Sequence, residues 1–192
     1  MRNISTLGCC FLTSTALLMS GCQQMVQQKA PVTPSVQAKN QFQLQGKIGV
    51  RTPQQSGSAF FTWVQQQEEF DIELTGILGA GKTQISGTPG QVTLNSAKTG
   101  LIKAATAEEL LQRATGWQAP ISHLVDWVQA RPATQSAQIQ KDSSQRISQI
   151  IEQGWTVDLS YNQQATFPNR LILKQSLENG GENRITMVIQ NR

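Results

Sequence analysis

The sequence predicts a mainly β domain of the α+β class, in which a curved antiparallel sheet carries two short helices across its concave face. Apolar and polar residues alternate in most segments after residue 41, which places the apolar ones on one face of a strand. Turn residues separate these segments at short intervals, as in an antiparallel meander. One central stretch has helical spacing instead, and helices laid across the sheet would cover its apolar surface.

The amino-terminal residues have the features of a cleaved signal peptide. Arg2 supplies a positive charge, Leu7 to Met19 is mostly apolar, and Ser20-Gly21 offers small residues before a cleavage site. The apolar run is shorter than the about 20 residues needed to span a membrane. We therefore expect this segment to be removed.

The motif Leu18-Met19-Ser20-Gly21-Cys22 resembles the lipobox of bacterial lipoproteins. That resemblance implies that Cys22 becomes the first mature residue and carries a covalent diacylglycerol and an N-acyl chain, with no other cofactor. The alternative is an ordinary signal peptide that happens to contain a cysteine. Cys9 and Cys10 would leave with the signal, so no thiol remains for a disulfide, a zinc cluster or a nucleophile.

Composition divides the chain into three predicted parts. Residues 1–21 form the signal peptide, residues 22–40 a lipidated and flexible tether rich in Gln, Ala and Pro, and residues 41–192 the β domain. Lys and Arg number 16 against 12 Asp and Glu, a formal charge of +4. This excess favours anionic surfaces such as lipid headgroups, but it forms no basic run of the nucleic-acid type.

The first strand is predicted from Phe42 to Arg51, half-buried, with its apolar side chains on one face. The segment from Ser58 to Val64 has apolar residues on both faces, Phe60 among them, which predicts a strand buried on both sides and a covering layer over the sheet. Further strands are predicted at 70–75, 83–87, 91–95, 146–151, 155–161, 170–174 and 185–189.

Two short helices are predicted in the middle of the chain. Thr106 and Glu109 form a capping box, and the helix that they open ends at Gly116. A second helix begins near Pro120 and ends before Arg131-Pro132. Its apolar residues recur with helical spacing at positions Ile121, Leu124, Val125 and Val128.

Residues Gly76 to Thr83 match the P-loop pattern letter for letter. A phosphate cradle needs a helix directly after the loop, whereas glycine and proline follow at 87–90, so the segment is better explained as a glycine-rich hairpin. Ile77 and Leu78 occupy its tip. They either contact a membrane or partner or fold back into the core, and both alternatives stand.

Catalytic and metal-binding constellations are not predicted, so we expect a protein without enzymatic activity. His123 falls outside the apolar stripe of the second helix, which favours a position facing solvent over ligation or proton transfer. Asp71 and Glu73 share the polar face of one strand, where solvated charges are ordinary.

Several segments together resemble the LolB family of outer-membrane lipoprotein receptors over essentially the whole mature domain. They are the lipobox, the strand 42–50, the strand 58–63, the hairpin 74–79, the helix start 106–109 and the region from Trp117 to Trp127. The resemblance implies an incomplete β-barrel with a helical lid over an apolar cavity. It also implies acceptance of lipoproteins from the periplasmic carrier LolA and their insertion into the inner leaflet of the outer membrane, where the anchored protein would face the periplasm.

The same resemblance assigns membrane insertion to Leu78, with Ile77 beside it in place of the proline that the family often has there. Acyl chains of the cargo would be the ligand, and a monomer with no nucleic-acid partner is expected. The alternative function is a structural or assembly lipoprotein that binds a protein partner and has no lipid cavity. The candidate residues for contact with acyl chains are Phe42, Leu44, Ile48, Phe61, Trp63, Ile72, Leu74, Trp117 and Trp127.

Overall fold

The computed structural model describes residues 40–76 and 81–192, and in this part of the chain eleven strands form one sheet. Two short α-helices and a 3-10 turn lie between the sixth and seventh strands. The strands are β1 (Gln41–Arg51), β2 (Ser56–Gln66), β3 (Glu69–Thr75), β4 (Lys82–Thr88), β5 (Gln91–Ser96), β6 (Gly100–Ala104), β7 (Gln138–Lys141), β8 (Ile147–Glu152), β9 (Trp155–Ser160), β10 (Arg170–Ser176) and β11 (Glu182–Asn191). The helical elements are α1 (Ala107–Thr115), the 3-10 turn (Ile121–His123) and α2 (Leu124–Trp127).

The strand order is β6-β5-β4-β3-β2-β1-β11-β10-β9-β8-β7, so β1 and β11 pair at the middle of the sheet. The two edge strands, β6 and β7, do not pair with each other, and the curved sheet stays unclosed. This confirms the predicted fold class. Because β6 and β7 lie at opposite edges, the helical segment that joins them must cross the sheet.

Strand pairing places the apolar side chains on one face. Leu44 of β1 lies opposite Trp63 of β2, and Trp63 lies opposite Ile72 of β3. Residues directly opposite each other in an antiparallel pair share a face of the sheet. The same face continues on the other side of β1 through Val50, Ile185, Leu173, Val157 and Ile150.

Local sequence accounts for α1. The Thr106 hydroxyl accepts a hydrogen bond from the Glu109 backbone N–H at 3.1 Å, and the Glu109 carboxylate accepts one from the Ala105 N–H at 2.8 Å. Gly116 ends the helix in the left-handed conformation with φ of 73°, which glycine adopts without a Cβ penalty. The predicted capping box and stop are confirmed. In residues 40–76 and 81–192, no helix is both long enough and apolar enough to cross a membrane.

The predicted burial of strand β2 on both faces is wrong. Phe60 points to the convex face and is 59% exposed, while its neighbours Ala59 and Phe61 are buried on the concave face. Within residues 40–76 and 81–192, the helical segment is the connection that crosses the sheet, and it covers the concave face. The apolar side chain of Phe60 therefore did not require burial.

Three further elements differ from the prediction. The second helix begins as a 3-10 turn and continues as α2 for only four residues, which shifts the angular positions of its side chains. The edge strands β6 and β7 had not been predicted. The sequence of β7, Gln138 to Lys141, is polar except for Ile139 and exposed throughout, so it lacks the alternation that marks a half-buried strand.

Candidate functional site

The concave face of the sheet is one continuous apolar surface. Strands β1 and β2 and strands β8 to β11 contribute to it, together with the segment that follows α1. Full burial of side chains of this size stabilises a fold by about 1.5–3 kcal/mol each. The buried members are Leu44, Phe61, Trp63, Ala119, Leu124, Trp127, Val128, Ile150, Trp155, Val157, Leu159, Leu171, Leu173, Ile185, Met187 and Ile189.

All nine residues predicted to contact acyl chains belong to this surface. Leu44, Phe61, Trp63 and Trp127 are buried within it. Aromatic contacts organise part of the group, since the rings of Phe42 and Trp63 meet edge to face with centroids 5.0 Å apart. The partly buried members of the set are Phe42, Ile48, Ile72, Leu74 and Trp117.

The second half of the sheet contributes more of this surface than the nine candidates suggested. Trp155, Val157 and Leu159 alternate along β9, and the same period-two pattern in β10 and β11 places their apolar residues on the concave face. That alternation was visible in the sequence and had predicted strands. Strand pairing is what brings these residues beside Leu44 and Trp127.

The helical segment, residues 107–130, is called the lid below because it crosses the concave face. Its first helix packs on Val92 and Leu94 of β5 through Leu110. Its second half packs on β9 to β11. The Glu108 carboxylate joins the two halves by accepting a hydrogen bond from the Ser122 N–H at 2.8 Å.

A narrow apolar gap lies between the lid and the sheet. No water-sized sphere fits inside it. In this conformation the lid is therefore closed on the sheet. The gap is lined by Ala119, Pro120, Ile121, Leu124, Trp127, Trp155, Leu173 and Ile185.

A buried carboxylate holds the far end of the lid to the sheet. Glu152 of β8 accepts hydrogen bonds from the indole N–H of Trp127, the backbone N–H groups of Ala133 and Thr134, and the Thr134 hydroxyl. Desolvation by burial would raise the pKa of Glu152, but these four donors outweigh it and hold the pKa below its ordinary value of 4.5. Glu152 is thus an ionised anchor.

Arg192 makes a second attachment at the same end. Its guanidinium donates to the carbonyl oxygen of Val128 at 2.7 Å and to that of Pro168 at 3.2 Å. It also lies over the Phe167 ring, 4.8 Å from the centroid. Burial lowers the pKa of Arg192 from its ordinary value, although the group stays charged at neutral pH.

Two polar atoms under the lid have no hydrogen-bond partner among the described residues. They are Nε1 of Trp117 and Nδ1 of His123, and both are buried. The prediction that His123 faces solvent is wrong, because its ring meets Trp127 edge to face at 5.5 Å. His123 is the last residue of the 3-10 turn and not part of an α-helix.

The P-loop-like segment leads into strand β4, which pairs with β3 from Thr75 opposite Lys82. The hairpin interpretation is confirmed at its base. Lys82 forms an ion pair with Glu73 at 2.6 Å. Ile77 and Leu78, like Cys22 and the tether as far as Lys39, lie outside the described residues.

A larger open pocket of about 430 Å³ lies on the other side of the sheet, across β2 to β5. Its lining is mostly polar, with Gln66, Glu69, Asp71, Ser86 and Thr93 beside the apolar Val64 and Phe70, so polar groups would face a hydrocarbon chain there. The apolar concave face under the lid is therefore the candidate site. An unclosed half-barrel whose apolar face is covered by a lid defines a class distinct from the α/β nucleotide-binding enzymes.

Comparison with known proteins identifies the family. Residues 40–191 match the family described as outer membrane lipoprotein LolB, and the chain belongs to that family. An outer-membrane lipoprotein LolB of Stutzerimonas stutzeri is 36% identical over 191 residues, which cover 92% of this chain and 90% of the relative. One of Pseudomonas putida strain W619 is 39% identical and covers 78% and 73% of the two chains.

A solved structure of a LolA superfamily protein from Nitrosomonas europaea aligns over 82% of this chain and 93% of its own, with a TM-score of 0.45 and 13% identity. The family description names a lipoprotein and no catalytic activity. The match to the family, over residues 40–191, includes both the strands and the lid.

Proposed function

We propose that the chain is an outer-membrane lipoprotein that accepts other lipoproteins from the carrier LolA and inserts them into the outer membrane. Cys22 would carry the lipid anchor, and the domain would face the periplasm as a monomer without enzymatic activity. The observation that carries the proposal is the continuous apolar concave face beneath a lid. Membership of the LolB family supports it.

The energetics require such a face. Each CH₂ group of an acyl chain that leaves water gains about 0.8 kcal/mol, so the chains of one lipoprotein represent tens of kcal/mol. Only a protein surface with a comparable apolar area offsets that free energy while the chains are transferred. The described apolar surface spans β1, β2 and β8 to β11 and supplies it once the lid has moved.

The lid must move because the gap beneath it holds no water-sized sphere. Its closed position has a cost, since an unpartnered buried polar group is unfavourable by about 1–3 kcal/mol. Nε1 of Trp117 and Nδ1 of His123 are such groups, and both would reach water when the lid opens. The attachments at Glu152 and Arg192 offset this cost.

Uptake of a fluorescent fatty acid by the whole mature chain tests the proposal. We expect saturable binding, and Ala119→Leu should weaken it several-fold because the added atoms project onto the apolar surface that an acyl chain would contact once the lid has moved. Ala105→Leu adds the same atoms at an exposed position and should bind like the parent. Absence of saturable uptake would leave the apolar face as a simple core.

Delivery is assigned to the hairpin tip. We propose that Leu78, with Ile77 beside it, enters the membrane, so Leu78→Glu should accept lipoproteins from LolA but fail to release them into vesicles. Pro89→Glu places the same charge on the exposed β4–β5 turn and serves as the matched control. Normal delivery by the Leu78→Glu variant would refute the role of the loop.

A second function is favoured by the closed gap itself. A structural lipoprotein that binds a protein partner would need no room under the lid. It predicts no saturable fatty-acid uptake and no effect of Ala119→Leu on partner binding. The uptake experiment therefore separates the two functions.

A further inference from the structure

The convex face of the sheet carries a row of directly paired residues that begins at the base of the β3–β4 hairpin. Each member lies opposite the next on the neighbouring strand. Strands lie about 4.8 Å apart, so a row across six strands extends about 24 Å. We call it the cationic row, and its members in order are Lys82, Thr75, Phe60, Lys47, Val188 and Arg170.

Positive charge in this row and in the row beside it is incompletely neutralised. A parallel row of Arg51, Arg184 and Lys174 lies four residues further along the strands. Three of the six cations in the two rows have carboxylate partners: Lys82 with Glu73, Lys174 with Asp158 and Arg184 with Glu182. Within the described residues, no carboxylate pairs with the other three, Lys47, Arg51 and Arg170, and all three are exposed.

An exposed aromatic ring lies in the row between the cations. Phe60 is 59% exposed, and the Lys47 ammonium lies 5.9 Å from its ring centroid. Aromatic rings next to basic residues are typical of surfaces that lie at the boundary between lipid headgroups and acyl chains. The convex face therefore combines an apolar contact with free positive charge.

We propose that the cationic row docks on the surface of a bilayer containing anionic phospholipids. Charge complementarity selects this occupant, because the unpaired cations Lys47, Arg170 and Arg51 are spread over the two rows and match an extended anionic surface. The row also starts at Lys82 and Thr75, the base of the hairpin whose tip contains Ile77 and Leu78. The docking surface rests on the proposed function, because docking would bring the hairpin tip to the membrane before the lipoprotein is delivered.

The experiment uses the whole mature chain anchored in vesicles through its acylated Cys22. Ser58 lies exposed on the convex face, two residues from Phe60, and Ser58→Cys would be the only free thiol once the signal has been removed. A dye on that thiol is quenched by a nitroxide on lipid headgroups when the face docks. We expect strong quenching in vesicles containing phosphatidylglycerol and weak quenching in phosphatidylcholine alone.

The double variant Lys47→Gln, Arg170→Gln tests the row itself. Each cation near an anionic surface contributes about a fivefold factor, so the ratio of docked to undocked protein should fall on the order of twentyfold. High salt should produce a similar loss in the parent. Lys103→Gln, Lys141→Gln removes the same charge from the exposed edge strands β6 and β7 and should leave quenching unchanged.

Three results would overturn the inference. They are equal quenching in the two kinds of vesicle, unchanged quenching in the double variant, and an equal loss in the edge-strand control. If quenching by the double variant is unchanged but the variant no longer receives lipoproteins from LolA, the row would be assigned to a protein partner instead of the bilayer. Fatty-acid uptake is scored separately: quenching without uptake would reject the proposed function alone, and uptake without quenching would reject the docking surface alone.

Discussion

Trp127, at the end of the lid, donates its indole N–H to the buried carboxylate of Glu152 on β8. The two residues are 25 positions apart, and Glu152 is only 4% exposed. The same carboxylate accepts from the turn that leads from the lid to β7. One side chain therefore holds both the lid and its exit to the sheet.

The first prediction concerns this carboxylate. Glu152→Gln keeps the shape but turns an amide NH₂ toward groups that are all donors, so it should lower the free energy of unfolding by about 2–3 kcal/mol. Urea unfolding followed by tryptophan fluorescence measures the change. Glu68→Gln, at an exposed turn, should have almost no effect. Equal midpoints for the two variants would contradict the anchoring role of Glu152.

The second prediction is the pH dependence of the same contact. The folded-state pKa of Glu152 lies below its ordinary value of 4.5. Its contribution to stability is therefore fully present above that value and is lost as the pH falls through the folded-state pKa. Unfolding free energies measured between about pH 6 and pH 3 should fall more steeply for the parent than for Glu152→Gln. Parallel curves would show that Glu152 does not titrate in this way.

Local signals explain why part of the fold was predicted from the sequence. Thr106, Glu109 and Gly116 define α1 through contacts within a few residues, and the structure has the helix where they place it. The alternation in β1 and β9 likewise depends only on neighbouring residues. It sorts Leu44 and Val157 to the concave face before any strand order is known.

Long-range relationships explain the rest. The exposure of Phe60 depends on the path of the lid, which follows from β6 and β7 lying at opposite edges of the sheet. The role of Glu152 depends on Trp127, 25 residues away, and no sequence motif indicates that contact. The cationic row joins residues from six strands, β4, β3, β2, β1, β11 and β10, and exists only in the paired sheet.

The third prediction concerns Arg192, which fastens the end of α2 from the other side. Arg192→Ala removes the hydrogen bonds to the carbonyls of Val128 and Pro168, and should cost about 1 kcal/mol because the site is partly open to water. The lid should also open more often, so fatty-acid uptake should become faster. Arg192→Lys keeps the charge but not the planar fork, and should be intermediate. Slower uptake by Arg192→Ala would contradict the attachment.

The fourth prediction tests how tightly the middle of the sheet is packed. The pairing of β1 with β11 shifts register between Gln45 and Gly46, and a Cβ at Gly46 would lie 2.0 Å from the carbonyl oxygen of Val188 and 3.0 Å from the Phe61 ring. Gly46→Ala must therefore displace backbone and should cost about 1–3 kcal/mol in urea unfolding.

Gly49 of the same strand provides the matched control, because its Cβ would meet nothing closer than a carbonyl oxygen at 3.9 Å. Gly49→Ala should leave the unfolding midpoint near that of the parent. Since Phe61 lies on the apolar concave face, displacement by Gly46→Ala should also weaken fatty-acid uptake, whereas Gly49→Ala should not. Equal stabilities for the two variants would mean that the centre of the sheet accommodates the added Cβ without strain. Equal fatty-acid uptake would mean that the lid, and not the packing of the sheet, controls access to the apolar face.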